Sequence, residues 1–263
     1  MSNGSWTAVV LAGERPGETG FADAHGVASK ALIPVAGEPM LARVLRTLLE
    51  SEPVGRILIL AQHPEILLHG SLAWVNDEER IATAPSGDGI STSIAAIAGG
   101  RQAPFPFLVT TADHALLSRA MIETFIDRVG EVDAAFAVVE RTVVDGVYPE
   151  TKRTWLRFSD GDVTGANLFA LRTEAARKGL EIWASVEKDR KKAVKLMLSF
   201  GPILALRALT RTISLDAAMM RIGQRVAMRV RAVRLPFADA AVDVDKEADL
   251  ILANRILAER GQR

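Results

Sequence analysis

The sequence predicts an α/β protein with a mainly parallel sheet flanked by helices, and three observations support that fold class. Short β-branched or apolar runs typical of strands occur at 7–12, 56–61, 107–111 and 134–139. Stretches compatible with helices separate them, as in repeated βα units. The chain of 263 residues, 49% of them hydrophobic, is long enough to bury a large core. Ligands of such sheets bind beyond the carboxyl ends of the strands, so we expect function in the loops at that edge.

The first element, the strand at 7–12, leads into a glycine-rich loop. Ala12 and Gly13 have no side chain that would block a ligand, and Gly17, Gly20 and Gly26 follow. Such a loop can turn backbone N–H groups toward phosphates. The glycine spacing matches neither a Walker A loop nor a G-x-G-x-x-G fingerprint, so those two nucleotide-binding classes lose support.

The next element is a helix that begins beside Pro39. Proline is accepted in a first helical turn, and apolar residues then recur on one face. They are Met40, Leu41, Val44, Leu45, Leu48 and Leu49.

Composition excludes several classes of protein. The 32 basic and 32 acidic side chains balance, which argues against the basic face that nucleic-acid binding requires. The chain has no Cys, so a disulfide scaffold and a thiolate metal site are excluded. The uncharged stretch 196–206 is shorter than the about 20 residues of a membrane-spanning helix, and the first ten residues lack signal-peptide character. We therefore expect a cytoplasmic protein with no transmembrane segment.

Four segments together resemble a known family. Leu11-Ala12-Gly13 followed by SKALIPVAGEPML at 29–41 resembles the signature LAGGxGxRM…PKxLxPVxGxPML of nucleotidyltransferases that make nucleoside-diphosphate compounds. GDGISTS at 87–93, TTAD at 110–113 and DVDKEADL at 243–250 follow in order, so the matches run from residue 9 to 250. The family includes sugar-phosphate nucleotidyltransferases, cytidylyltransferases of small phosphorylated alcohols and the molybdenum-cofactor guanylyltransferase.

The resemblance implies a Rossmann-like mixed sheet of the nucleotide-diphospho-sugar transferase type. One NTP transferase domain would span 1–263, with a helical acceptor-binding elaboration at about 140–235. The sequence departs from the family pattern at Glu14-Arg15-Pro16, at Ser29 and at Lys246-Glu247, which indicates a divergent subfamily.

The implied activity is transfer of an NMP group from an NTP to a small phosphorylated alcohol or acid, with Mg²⁺ as cofactor and release of pyrophosphate. CTP is the favoured nucleotide. A phosphomonoester nucleophile is largely dianionic near neutral pH, so no general base is demanded. Three alternatives stay open: a guanylyl- or other nucleotidyltransferase acting on a sugar phosphate or molybdopterin, a non-catalytic nucleotide-binding regulatory module, and a nucleotide-sugar-dependent glycosyltransferase.

The catalytic candidates implied by the resemblance are Lys30, Asp113 and Asp245, and the metal candidates are Asp113, Asp243 and Asp245. Asp113 follows a strand at the ligand edge, where a carboxylate suits a hard cation. Asp243 and Asp245 lie two residues apart, so on an extended segment they point to one face. The structural alternatives are an Asx turn at Asp113, a helix cap at Asp245 and a solvated Lys30.

Nucleotide binding is assigned to two loops and to the cation that follows the first of them. The candidates are Leu11, Ala12, Gly13, Arg15, Lys30, Gly87, Gly89, Ser91 and Ser93. Helix capping by Ser91 explains part of the second loop equally well.

Acceptor binding is assigned to residues of the segment 152–191. The candidates are Lys152, Arg153, Gly165, Asn167, Lys188, Arg190 and Lys191. A tight turn before a strand is the alternative for Gly165 and Asn167, and a solvated helix face is the alternative for the charge run at 187–192. Three interpretations of the apolar continuation at 195–209 stay open: packing in the core, contact with a membrane surface, and a homodimer contact.

Overall fold

The computed structural model describes residues 6–14, 20–87, 89–187, 207 and 210–261. The strands are β1 Trp6–Leu11, β2 Pro34–Val35, β3 Glu38–Pro39, β4 Val54–Ala61, β5 Ile81–Pro85, β6 Phe107–Thr111, β7 Ala134–Glu140, β8 Leu156–Phe158, β9 Gly161–Leu171 and β10 Val230–Arg234. The α-helices are α1 Gly20–Ala24, α2 Met40–Glu50, α3 Pro64–Leu67, α4 Ile90–Ile97, α5 Arg119–Val129, α6 Arg141–Asp145, α7 Ala176–Glu187, α8 Leu215–Val226 and α9 Glu247–Gly261. Short 3-10 helices cover Lys30–Leu32, Gly70–Asp77 and Ala238–Ala241.

Eight of the described strands form one mixed sheet. Its order is β10-β7-β9-β6-β1-β4-β5, with β8 paired to β9, and β2 and β3 make a separate two-stranded ribbon. β1 pairs in parallel with β4 and β6, β4 with β5, and β10 with β7, whereas β9 runs antiparallel to its neighbours. The predicted α/β class with a mainly parallel sheet is confirmed.

The central strands are buried on both faces because helices cover both sides of the sheet. Val10 of β1 and Ile59 of β4 pack on one face with α2 and α5, and Val9 and Leu58 pack on the other with α4 and α7. Parallel strands covered in this way carry continuous apolar runs, which is the pattern in the sequence.

Helix α2 forms where its apolar periodicity predicts it. Leu45 and Leu48 are completely buried, and each contributes about 1.5–3 kcal/mol by leaving water. Pro39 does not occupy the first turn as expected: it precedes the helix in β3, with φ −52° and ψ 139°. Its fixed φ suits that strand, and the helix begins one residue later.

Strand β9 is longer than the sequence suggests. The alternative of a tight turn at Gly165 and Asn167 is wrong, because the turn lies at 159–160 and the strand begins at Gly161 with φ +132°. Gly165 pairs with Val138 of β7 within the sheet. Cross-strand pairing on both sides extends this strand beyond its apolar stretch.

The range expected for the helical acceptor-binding elaboration contains α7 and α8 and also the strands β8, β9 and β10. The run of basic and apolar residues between α7 and α8 lies largely outside the described residues. Among the helices that the structure describes, none is both long and apolar enough to cross a bilayer.

Candidate active site

A cavity of about 280 Å³ lies where β1, β4, β5 and β6 end. Most of the residues predicted from the two loops and the distant aspartates line it. They are Leu11, Ala12, Gly13, Lys30, Gly87, Gly89, Ser93, Asp113, Asp243 and Asp245, and the acceptor candidate Asn167 lines the cavity as well. The carboxyl edge of a parallel sheet is where such folds bind ligands, so this cavity is the candidate active site.

Lys30 lies between two carboxylates at the mouth of this cavity. Its ammonium Nζ donates to Asp113 Oδ2 at 2.6 Å and also to Asp245 Oδ1. Partial burial alone would lower the pKa of Lys30, but the two carboxylates raise it above its ordinary value. Lys30 is therefore a charged group throughout the neutral range.

Local structure positions each residue of the triple formed by Lys30, Asp113 and Asp245. Ser29 caps the 3-10 helix that Lys30 begins, by accepting a hydrogen bond from the Ala31 N–H. Asp113 follows β6 in a turn, where its carboxylate also accepts from the Thr111 hydroxyl. The Val244 N–H donates to the Asp113 carbonyl at 3.0 Å, and this main-chain bond brings the segment of Asp243 and Asp245 to the end of β6.

The two aspartates of that segment differ in their titration. Burial, followed by the charge of Asp245, raises the pKa of Asp243, although Arg153 Nη1 lies 2.6 Å from its Oδ1. Burial would also raise the pKa of Asp245, but the hydrogen bond and charge of Lys30 lower it. Asp243 and Asp245 therefore differ because Arg153 is the cation beside the first and Lys30 the cation beside the second.

The carboxylates have the donor chemistry of a hard divalent cation, since Mg²⁺ prefers oxygen ligands. Within the described ranges, no three acidic or histidine side chains already converge as a cation site, because the Lys30 ammonium lies between Asp113 and Asp245. A bound cation would relieve the repulsion between the Asp243 and Asp245 carboxylates, which adds to burial in raising the pKa of Asp243. The residues therefore fit the metal that the family resemblance implies.

The second loop is held by Ser93. Its Oγ accepts from the Gly87 N–H at 2.9 Å and donates to the Gly89 carbonyl at 2.6 Å, which fixes the turn before α4. Ser91 is completely buried and does not line the cavity, and Gly89 rather than Ser91 stands at the cap position of α4.

His114, next to Asp113, is 1% exposed, and its Nε2 has no hydrogen-bond partner. Burial lowers its pKa to about 4, so the imidazole is neutral near pH 7 and adds no charge to the site.

The residues predicted to bind the acceptor do not all lie in one place. Asn167 of β9 lines the cavity, whereas Gly165 does not. Lys152 and Arg153 line a second groove of about 420 Å³ beside α9, and the Arg153–Asp243 ion pair joins that groove to the cavity. Arg15, Lys188, Arg190 and Lys191 lie outside the described residues.

Seven residues that line the cavity were not predicted as site residues, and Glu14 and Gln62 carry polar side chains among them. Glu14 appeared only as a departure from the family loop, and Gln62 was not singled out. Gln62 follows β4 as Asp113 follows β6, so its position after a parallel strand was the signal that could have found it.

A groove larger than this cavity lies elsewhere. It has about 960 Å³ and lies between α8 and β10, with Met219, Met220 and several arginines along it. None of the predicted site residues lines it, so its size does not make it the candidate site.

Comparisons with known proteins identify the family of this chain. The family model described as MobA-like NTP transferase domain matches residues 8–192. A hypothetical transferase from Thermus thermophilus is 28% identical, with a TM-score of 0.77 over 94% of this chain and 100% of that one. A search of curated proteins found no sequence match.

Two more distant structures share the fold. A 4-diphosphocytidyl-2C-methyl-D-erythritol synthase from Anaerococcus prevotii is 14% identical, with a TM-score of 0.56 over 97% of both chains. A CMP:2-keto-3-deoxy-manno-octonic acid synthetase, solved with CTP, is 12% identical, with a TM-score of 0.53 over 97% of this chain and 100% of that one. The family match covers well over half of the sequence, so the chain belongs to the family of MobA-like NTP transferase domains and is a nucleotidyltransferase.

Proposed function

We propose that this protein transfers an NMP group from an NTP to a small phosphorylated alcohol or acid and releases pyrophosphate. The observation that carries the proposal is the Lys30 ammonium between Asp113 and Asp245, beside a glycine-lined cavity at the carboxyl edge of the sheet. A cation and a set of carboxylates in that position suit a triphosphate and its counter-ion.

In the proposed reaction, an oxygen of the acceptor phosphate attacks the α-phosphorus of the NTP. The new P–O bond forms as the bond from the α-phosphorus to the oxygen bridging to the β-phosphorus breaks, and pyrophosphate leaves with that electron pair. The acceptor phosphate is dianionic, so no proton has to be removed from it. Lys30 neutralises charge on the triphosphate, and Gly13, Gly87 and Gly89 line the cavity that we propose for the nucleotide.

Asp113 and Asp245 would hold Mg²⁺, with Asp243 contributing charge beside them. When bound, the ion supplies positive charge to the phosphates at which negative charge develops. The Arg153 guanidinium pairs with Asp243 and lies 3.7 Å from Asp249, so it holds Asp243 in place.

The acceptor is proposed to bind between the cavity and the adjoining groove. Asn167 faces the cavity, and Lys152 and Arg153 provide positive charge in the groove. Gly165, Lys188, Arg190 and Lys191 complete the set of acceptor residues that we propose from the sequence. Such cations suit an acceptor with a phosphate and a second anionic group.

CTP is the nucleotide that we propose, and the support is the cytidylyl chemistry in the names of two structural neighbours. The resemblance to the molybdenum-cofactor guanylyltransferase, together with the MobA-like family match, favours GTP as the second candidate.

The test is pyrophosphate release with Mg²⁺, in which CTP, GTP, UTP and ATP are each combined with pools of phosphosugars, phosphopolyols, phosphoglycerates and phosphocholine. We expect release with CTP and one acceptor pool. Release with GTP alone would replace the cytidylyl assignment. Binding of an NTP without release in any pool would favour the non-catalytic regulatory module.

A further inference from the structure

We propose that Gln62 is a positioning residue for Lys30 and acts through the main chain of Glu14. The inference rests on the proposed function, because Lys30 is the cation assigned to the triphosphate. Gln62 follows β4, is half-buried and lines the cavity together with Gly13 and Glu14.

The side-chain amide of Gln62 forms hydrogen bonds with both main-chain polar groups of Glu14, its N–H and its carbonyl. The Glu14 N–H donates to Gln62 Oε1 at 3.0 Å, and Gln62 Nε2 donates to the Glu14 carbonyl at 2.9 Å. A primary amide that makes both bonds fixes the position and the orientation of the segment it holds.

We call these two hydrogen bonds between Gln62 and Glu14 the Gln62 clamp. The clamp takes the place of main-chain pairing where β1 separates from β4. The Ala12 N–H donates to the Leu60 carbonyl at 2.8 Å as the last bond of the ladder. In a parallel ladder, the next such bond would join the Glu14 N–H to the main-chain carbonyl of Gln62. Because the Gln62 side chain takes that role instead, the chain turns away from the sheet and still has its polar groups satisfied.

The clamp also explains why residue 13 is a glycine. A Cβ at this position would lie 2.6 Å from Gln62 Oε1 and 3.0 Å from Nε2. The glycine therefore provides the space through which the amide reaches the main chain of Glu14.

Glu14 transmits the constraint to the catalytic cation. Its carboxylate Oε1 accepts a hydrogen bond from the Lys30 N–H. The contacts thus run from Gln62 to the main chain of Glu14, from its side chain to the Lys30 main chain, and from Lys30 Nζ to Asp113 and Asp245. Small displacements of a catalytic group cost on the order of 100-fold in rate, so loosening this connection should reduce turnover.

The first test compares Gln62→Ala with Asn76→Ala by steady-state kinetics. Asn76 is a matched control because its amide also donates to main-chain carbonyls, those of Leu68 and Ala73, outside the cavity. We expect Gln62→Ala to lower kcat 10- to 100-fold, and more than it raises the KM of the NTP. We expect parental kinetics for Asn76→Ala. Equal losses in the two variants would overturn the proposal.

A double-mutant cycle separates positioning from general destabilisation. If Gln62 acts through Lys30, Gln62→Ala introduced into Lys30→Ala should cost less than about twofold more. A loss as large as in the parent would show that Gln62 acts independently of Lys30. Glu14→Gln keeps the oxygen that accepts from Lys30, so it should lose less activity than Glu14→Ala.

Amide hydrogen exchange tests the clamp without relying on turnover. We expect exchange of the Glu14 and Lys30 amides to accelerate about tenfold in Gln62→Ala and to stay at the parental rate in Asn76→Ala. Unchanged exchange at both amides would overturn the clamp. If the parent released no pyrophosphate with any NTP, the proposed function would fail, and the exchange rates would still decide whether Gln62 holds Glu14 and Lys30.

Discussion

At the scale of single residues, the candidate site is organised around the Lys30 ammonium. Asp113 and Asp245 both contact its ammonium, while Asp243 is held by Arg153. Removing the carboxylate of Asp113 or Asp245 leaves the Lys30 ammonium with one partner fewer. It also removes an oxygen ligand from the proposed Mg²⁺ site.

We expect Asp113→Asn and Asp245→Asn to lower turnover by orders of magnitude and to leave the melting temperature near that of the parent. The amide keeps the shape of the side chain and removes its charge. Asp127→Asn, at an exposed position of α5, is the matched control. Pyrophosphate release and thermal unfolding are the measurements, and near-parental rates in both site variants would contradict the metal assignment.

We expect Lys30→Ala to reduce kcat about 100- to 1,000-fold, which is the cost of removing one group that stabilises developing charge. The same change at the exposed Lys178 is the control. Steady-state kinetics check this, and an unchanged kcat would mean that Lys30 only contributes surface charge.

How far the sequence predicted the site depended on whether a residue belonged to a recognisable motif. Lys30, Asp113 and Asp245 were predicted from family segments, and the structure brings them together; their catalytic roles stay predictions. Gln62 belongs to none of those segments. Its importance comes from two hydrogen bonds to a main chain 48 positions away, which the spacing of residue types does not encode.

At the scale of elements, Asp133 connects the segments beside three neighbouring strands, β7, β9 and β10. It precedes β7, and its carboxylate accepts from the Arg229 N–H at 2.7 Å and from the Thr173 hydroxyl at 2.8 Å. Burial opposes ionisation, but these hydrogen bonds and the charge of Arg229 lower the pKa of Asp133 below its ordinary value of 3.8.

We therefore expect Asp133→Asn to lower the free energy of unfolding by about 1–3 kcal/mol at pH 7. A depressed pKa in the folded state stabilises fully above pH 3.8, and this contribution is lost as the pH falls through the folded-state value. Urea unfolding of parent and variant at pH 7 and at pH 3 should show the difference shrinking at the lower pH, with Asp127→Asn as the control. A difference independent of pH would refute the role of the charged carboxylate.

Among the elements, β1, β4, β6, β7 and α2 were predictable because apolar patterning and burial coincide in them, whereas the parallel strands β5 and β10 were not predicted. Strand β9 was only partly predictable. Its polar half, which includes Gly165 and Asn167, is held by cross-strand pairing to β7 and β8, and local preference has little influence on such a strand.

At the scale of the whole molecule, the two substrates are expected to use different regions. The nucleotide candidates line the cavity, whereas Lys152 and Arg153 line the adjoining groove. The extent of the acceptor-binding elaboration, about 140–235 within one domain of 1–263, stays a prediction.

We expect the charge reversals Arg190→Glu and Lys191→Glu together to raise the KM of the acceptor more than that of the NTP. Both positions carry the basic charge that would attract an anionic acceptor. Arg101→Glu with Lys178→Glu, at exposed positions, controls for the change in net charge. Initial rates with each substrate varied in turn measure the effect, and equal changes in both KM values would refute an acceptor-specific role.

The main-chain bond from Val244 to Asp113 has a consequence for the order in which this protein becomes competent during synthesis. Lys30 and Asp113 leave the ribosome with the first half of the chain, but Asp245 follows more than 130 residues after Asp113. A nascent chain halted before residue 243 can form β1, β4 and β6 and still lacks one carboxylate of the triple. Activity on the ribosome should therefore appear abruptly and late, when the segment that carries Asp245 reaches the end of β6.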